Sequence, residues 1–94
     1  MFIKKIFSER LNYLRKLNNL TLQQLGSSIG STKATISNLE NGYKSPSVDM
    51  LILLSDFFNV SLDYLVGRSD EESFIISPKY QSSLDEANSQ EIKK

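Results

Sequence analysis

The chain contains no cysteine and no histidine. Without them it cannot form a Cys/His zinc finger, a disulfide framework, a thiol nucleophile or an imidazole acid–base pair. Serine, lysine, aspartate and tyrosine are present, but no spacing among them suggests a nucleophile activated by a neighbouring base. A small enzyme is therefore disfavoured, and neither a metal nor another cofactor is expected.

Long apolar runs are also absent. The longest uninterrupted run, Met50–Leu54, is five residues, whereas a helix that crosses a bilayer needs about 20. The first seven residues, Met-Phe-Ile-Lys-Lys-Ile-Phe, lack the apolar core of a secretory signal. We expect no membrane association and a cytoplasmic location.

The net charge of the whole chain is zero, from 11 Lys and Arg and 11 Asp and Glu. This balance conceals an asymmetry. Residues 1–68 hold eight basic and five acidic side chains, a net of +3, whereas residues 69–94 hold three and six, a net of −3. With 39% apolar residues the chain suits one small core. The pattern predicts a mildly basic domain at 1–68 and an acidic tail at 69–94.

Residues 20–42 predict two short helices that meet at a glycine turn. Thr21 and Gln24 suit the capping box that begins the first helix. Gly26 offers a small surface for close helix crossing, Gly30 can take a positive φ and end the helix, and Thr32 can cap the next one. This is the layout of a helix-turn-helix that binds DNA.

The remainder of residues 1–68 predicts three further helices and no strand. The first runs from about Phe2 or Phe7 to Asn18, the fourth follows Pro46-Ser47, and the fifth lies between Ser61 and Gly67. The side chains predicted to be buried on these helices are Phe7, Leu11, Leu14 and Leu17; Val48, Leu51, Leu54 and Phe58; and Leu62 and Leu65.

On residues 20–42 and on two later segments, Tyr-Lys-Ser-Pro-Ser-Val-Asp-Met-Leu (43–51) and Asn-Val-Ser-Leu-Asp-Tyr-Leu-Val-Gly (59–67), the chain resembles the phage repressor and Cro-type (XRE-like) helix-turn-helix proteins. The resemblance covers residues 8–67. It implies an all-α, five-helix, lambda-repressor-like bundle that regulates transcription, most often as a repressor that binds a double-stranded DNA operator as a homodimer. Leu22, Gly26 and Ser31 depart from the Gln, Ala and apolar residue usual in the family, which implies one fewer phosphate contact and a looser turn.

The exposed side of the second motif helix is predicted to contact base edges, in preference to being an ordinary solvated face. Lys33 suits guanine, Asn38 suits adenine, and the methyl groups of Ala34 and Thr35 suit thymine. The predicted base-contacting set is Thr32, Lys33, Ala34, Thr35, Ser37 and Asn38. The predicted phosphate-contacting set is Arg15, Leu22, Gln23, Asn41, Tyr43 and Lys44. The family resemblance further implies a structural ion pair between Arg15 and Glu40.

Apolar residues beyond the needs of the core predict a contact surface. Met50, Leu53 and Phe57 form a second stripe on helix four, and Phe74, Ile75 and Ile76 follow the polar linker of the tail. The stripe is either a wide core face covered by helix five or a docking face for a second subunit or the tail. The tail at 69–94 is expected either to make a dimer or partner contact or to be partly disordered. Its apolar cluster favours folding back on the domain or meeting a partner. An antitoxin or adaptor, whose tail binds another protein and whose DNA binding is autoregulatory, is the alternative function.

Overall fold

The computed structural model describes residues 2–71, which form five α-helices and no strand. The helices are α1 (Lys4–Leu17), α2 (Leu22–Ser28), α3 (Lys33–Glu40), α4 (Val48–Phe58) and α5 (Leu62–Val66). α1 packs against α3 and α5, α2 against α3, and α4 against α5. The predicted all-α, five-helix fold is confirmed. The tail cluster Phe74–Ile76 lies outside the described residues.

Four of the five helices begin at a hydroxyl cap. The side-chain oxygens of Thr21, Thr32, Ser47 and Ser61 each accept a hydrogen bond from the backbone N–H three residues on, at 2.9 to 3.1 Å. At α2 the capping box is complete, because Gln24 Oε1 also accepts from the Thr21 N–H at 2.9 Å. The predicted starts of these four helices are confirmed.

The turn between α2 and α3 is tight. Gly30 has a φ of +72°, and the Ser31 N–H donates to the Gly26 carbonyl at 2.7 Å. A Cβ atom at Gly26 would lie 2.7 Å from the carbonyl carbon of Thr32 and 2.8 Å from its oxygen. The expectation of a looser turn is therefore wrong at Gly26, because the missing side chain lets the backbone before α3 approach α2 closely.

Gly26→Ala is expected to lower the free energy of unfolding by about 1 kcal/mol. Crowding in a packed site costs about 1 to 3 kcal/mol, and the better helix propensity of alanine returns about 1 kcal/mol. Urea denaturation measures the difference. Ser27→Ala, at an exposed position of the same helix, is the control and should be neutral or slightly stabilising. A Gly26→Ala protein as stable as the parent would mean that the turn relaxes without cost.

The core draws on all five helices and on the α4–α5 connection. Its buried apolar residues are Phe7, Leu11, Leu14, Leu25, Ile29, Ile36, Leu39, Leu54, Val60, Tyr64 and Leu65. Leu17, Val48 and Leu62 were predicted to be buried but are 58%, 71% and 42% exposed. All three occupy the terminal residue of a helix, where the neighbouring helices no longer cover the side chain.

Candidate nucleic-acid interface

One side of α3 is fixed in the core and the other faces solvent. Ile36 and Leu39 are 0% and 2% exposed, which sets the rotation of the helix. Lys33 and Ala34 are consequently exposed at its start. Of the remaining residues predicted to contact bases, Thr32 is exposed, and Thr35, Ser37 and Asn38 are half-buried. The structure thus brings the predicted set together on and beside the open side of α3.

These side chains differ in the hydrogen bonds that they already make within the protein. The Thr32 hydroxyl caps the helix and donates to the Thr35 hydroxyl at 3.0 Å. The Ser37 hydroxyl accepts from the Asn41 amide at 3.2 Å. Within residues 2–71, by contrast, Lys33 makes no ion pair and the Asn38 amide no side-chain hydrogen bond. Lys33 and Asn38 therefore keep their full hydrogen-bonding capacity for a ligand.

The loop after α3 is folded back against its last turn. Gly42 has a φ of +75°, and the Asn38 carbonyl accepts from the N–H groups of Tyr43 and Lys44 at 2.9 and 3.4 Å. Tyr43 is 75% exposed, and Asn41 and Lys44 are exposed as well. Three residues predicted to contact phosphate are thereby held beside the end of α3 with accessible side chains.

Two depressions flank α3. The first, of about 480 Å³, lies between the starts of α2 and α3 and is lined by Arg15, Thr21, Leu22, Gln23 and Lys33. The second, of about 190 Å³, lies between α3 and the start of α4 and is lined by Thr35, Leu39, Lys44, Ser45, Pro46, Ser47 and Met50. Each contains a lysine and the N-terminal end of a helix. The sequence identified Ser47 as a helix cap but placed neither Ser45 nor Ser47 among the residues predicted to contact phosphate, although a cap marks free N–H groups that can bind one.

Arg15 and Glu40 form a bidentate ion pair that ties α1 to the end of α3. Arg15 Nε lies 2.6 Å from Glu40 Oε2, and Arg15 Nη2 lies 3.0 Å from Oε1. The side chains are 12% and 8% exposed. Hydrogen bonding to Glu40 raises the pKa of Arg15 above its ordinary value, although burial opposes the shift. Arg15 is accordingly cationic wherever the protein is folded.

Two further bonds extend this pair into a network. Arg15 Nη1 donates to the Leu20 carbonyl just before α2 at 2.8 Å, and Asn12 Nδ2 donates to Glu40 Oε1 at 2.8 Å. The sequence did not indicate Asn12, which lies one turn before Arg15 on α1 and meets Glu40 only when α1 packs against α3. Three of the five N–H groups of a guanidinium are thus used, and two remain for a ligand in the first depression.

The exposed apolar surface of α4 overlaps the predicted stripe. Leu53 and Phe57 are 45% and 41% exposed, and Ile52, at 43%, joins them. We call Ile52, Leu53 and Phe57 the α4 face. Met50 is half-buried, packs against the core and lines the second depression, so it is less accessible than the other two predicted residues. Its part in the predicted contact surface stays a prediction.

Among residues 2–71, no helix has the length and apolar character needed to span a bilayer. The same part of the chain contains no cluster of three or more acidic side chains that could hold a metal ion.

Comparison with known proteins agrees with this geometry. A family model described as helix-turn-helix matches residues 11–65. The transcriptional regulator YobD of Bacillus subtilis is 36% identical over 66 residues, which are 70% of this chain and 59% of YobD. The cryptic phage CTXphi transcriptional repressor RstR of Vibrio cholerae is 29% identical over 87 residues, which are 89% of this chain and 78% of RstR.

A solved structure shows the same arrangement of helices. The solution structure of the SOS-response transcriptional repressor LexA from Eubacterium rectale superposes with a TM-score of 0.66 at 26% identity, covering 79% of each chain. The matched segment spans 55% to 60% of the length of three Bacillus subtilis regulators. The family match covers more than half of the chain and confirms the resemblance drawn from the motif. The chain belongs to the Cro/C1-type (XRE-like) helix-turn-helix family of transcriptional regulators.

Proposed function

We propose that the protein is a transcriptional repressor that binds a palindromic DNA operator as a homodimer, with α3 in the major groove. The proposal rests on one arrangement around α3. Within residues 2–71 the side chains of Lys33 and Asn38 make no ion pair or side-chain hydrogen bond, and a depression that contains a lysine lies on each side of the helix. RstR and LexA, which are similar to this chain, are both described as repressors. The protein would act in the cytoplasm, with no cofactor.

The depressions suit the two phosphate backbones that border a major groove. The groove is about 12 Å wide and admits one helix, so a helix that enters it has a phosphate strand on either side. On one side, Arg15 adds positive charge beside the free N–H groups at the start of α2, Leu22 and Gln23. On the other side, Lys44 supplies the positive charge and the first N–H groups of α4 supply the hydrogen-bond donors.

The exposed side of α3 then supplies the sequence preference. The Asn38 amide can donate to and accept from one adenine edge, and the Lys33 ammonium can donate to the guanine O6 and N7. Ala34 and the Thr35 methyl group can contact a thymine methyl group. Thr32 and Ser37 contribute less, because their hydroxyls already bond within α3.

Lys33→Ala and Asn38→Ala are expected to relax the preference for particular bases, whereas Lys44→Ala is expected to weaken binding to all sequences alike. Base-edge contacts are worth about 1 to 3 kcal/mol of discrimination, while phosphate contacts carry the salt dependence. Each protein is measured against every single-base variant of an operator selected from random duplexes.

Lys16→Ala serves as the control for loss of a positive charge, because Lys16 is exposed on α1 and lines neither depression. It should leave base preference unchanged. If Lys33→Ala and Lys44→Ala gave the same binding profile, the placement of α3 in the groove would be wrong. Failure of the parent to enrich any sequence at low salt would contradict sequence-specific binding itself.

A further inference from the structure

α1 carries a second apolar stripe, half of which is open. Ile6, Arg10, Tyr13 and Leu17 follow one another at spacings of four, three and four, which places them on one side of the helix. At its N-terminal end this side is covered, because Ile6 packs on Gly67 and the Arg10 guanidinium lies 4.2 Å from the ring centre of Tyr64. At the other end Tyr13 and Leu17 are 47% and 58% exposed.

The described chain ends beside this open half. Arg10 Nη1 donates to the carbonyls of Tyr64 and Ser69, the latter at 2.7 Å, and Nη2 lies 3.0 Å from the Asp70 carboxylate. Arg10 therefore contacts the first two residues after Arg68, Ser69 and Asp70. Arg10 holds residues 69 and 70 against the middle of α1, one helical turn before Tyr13.

The apolar cluster of the tail is within reach of Tyr13 and Leu17. A helix rises about 1.5 Å per residue, so Leu17 lies roughly 10 Å along α1 from Arg10. Phe74–Ile76 follow Asp70 by four to six residues, and an extended chain spans about 3.3 Å per residue, or roughly 13 to 20 Å. A tail on this path would place residues 70–72, Asp-Glu-Glu, beside α1. α1 carries five basic side chains and one acidic side chain, Glu9, so its net charge is opposite to that of the linker.

We propose that Phe74–Ile76 of the same chain dock on the α1 surface formed by Tyr13 and Leu17. Because the linker is short, the effective concentration of the cluster at this surface is in the millimolar range. The same cluster on a second molecule is present only at the protein concentration, which is micromolar in such experiments. Arg15 is about 160° around the helix from Leu17. The docked tail therefore leaves both depressions and α3 free, and its acidic residues are held away from the surface proposed to meet DNA.

Engineered disulfides test the proposal directly, because the natural chain has no cysteine. The full-length double variants L17C/F74C, L17C/I75C and L17C/I76C cover the register of docking, since a disulfide needs Cα atoms about 4.4 to 6.8 Å apart. V48C with the same tail positions is the matched control, because Val48 is 71% exposed on a different helix and lies outside the α4 face. The redox equilibrium is measured in glutathione buffer, with products separated by mass spectrometry and non-reducing gels.

We expect at least one L17C pair to form an intrachain disulfide with an effective concentration about tenfold or more above that of every V48C pair. Equal values for the two sets, or a preference for the V48C pairs, would overturn docking on α1. Predominantly interchain products from the L17C pairs would show that a second copy is the occupant, which also overturns the proposal.

A second measurement does not depend on disulfide geometry. Leu17→Ser and Ile75→Ser are combined in the full chain, with Leu53→Ser in place of Leu17→Ser as the control. If the tail docks on α1, Ile75→Ser shifts the melting temperature less in the Leu17→Ser background than in the parent or the Leu53→Ser background. Equal shifts in all three backgrounds would contradict the contact.

Discussion

Arg15→Met is expected to lower the free energy of unfolding by about 3 kcal/mol, the lower end of the cost of removing one partner from a buried ion pair. The substitution leaves Glu40, which is 8% exposed, with Asn12 as its remaining side-chain donor, and it leaves the Leu20 carbonyl without the guanidinium. Urea denaturation at neutral pH measures the loss. The same change removes a cation from the first depression, so affinity for DNA should fall as well.

Lys16→Met is the matched control, because it removes the same charge from the neighbouring, exposed position of α1. Its stability should stay within about 0.5 kcal/mol of the parent. In the double variant Arg15→Met with Glu40→Met, much of the stability should return, because no uncompensated buried charge remains. If Arg15→Met unfolds at the same urea concentration as Lys16→Met, the ion pair is too well hydrated to stabilise the fold.

Leu53→Glu combined with Phe57→Glu is expected to give a folded monomer and to weaken binding to a full operator by about 100-fold or more, since that is the scale of avidity lost with a second site. Two recognition helices must be held about 34 Å apart to enter successive major grooves, and some surface has to join the subunits. The α4 face, whose three apolar side chains are 41% to 45% exposed, can supply that surface. In a two-fold dimer each copy would present this same face. Four added carboxylates would then meet in one contact, beside the exposed Asp56 of each chain.

Sedimentation and gel-shift titration of the parent and the variant test this prediction. Binding of the variant to a single half-site is the internal control and should match that of a parent subunit. Tyr13→Glu with Leu17→Glu adds the same charge to α1, at side chains of similar exposure, and should remain dimeric. A parent that stays monomeric even on its operator would refute the dimer and leave the assignment of α3 to DNA standing.

The sequence alone determined where four of the five helices begin and what family they form. Thr21, Thr32, Ser47 and Ser61 were identifiable as caps because a cap bonds to an N–H only three residues away. The positive φ of Gly30 was predictable for the same reason, since it follows from the local need to end α2. Contacts of this kind do not depend on the rest of the chain. The motif they define was sufficient to indicate a helix-turn-helix and to select the exposed side of α3.

Only the tertiary structure decided which residues at the helix ends are covered and which distant groups meet. The helical periodicity predicted that Leu17, Val48 and Leu62 are buried like residues in the middle of a helix. All three are exposed, because burial at a helix end depends on where the neighbouring helix stops. Met50, predicted together with Leu53 and Phe57, is half-buried against the core while the other two are exposed. The hydrogen bond from Asn12 to Glu40, and those from Arg10 to residues 69 and 70, connect groups that are 28 to 60 residues apart in sequence. Contacts so far apart in sequence form only when packing sets the angle between helices, which no local pattern encodes.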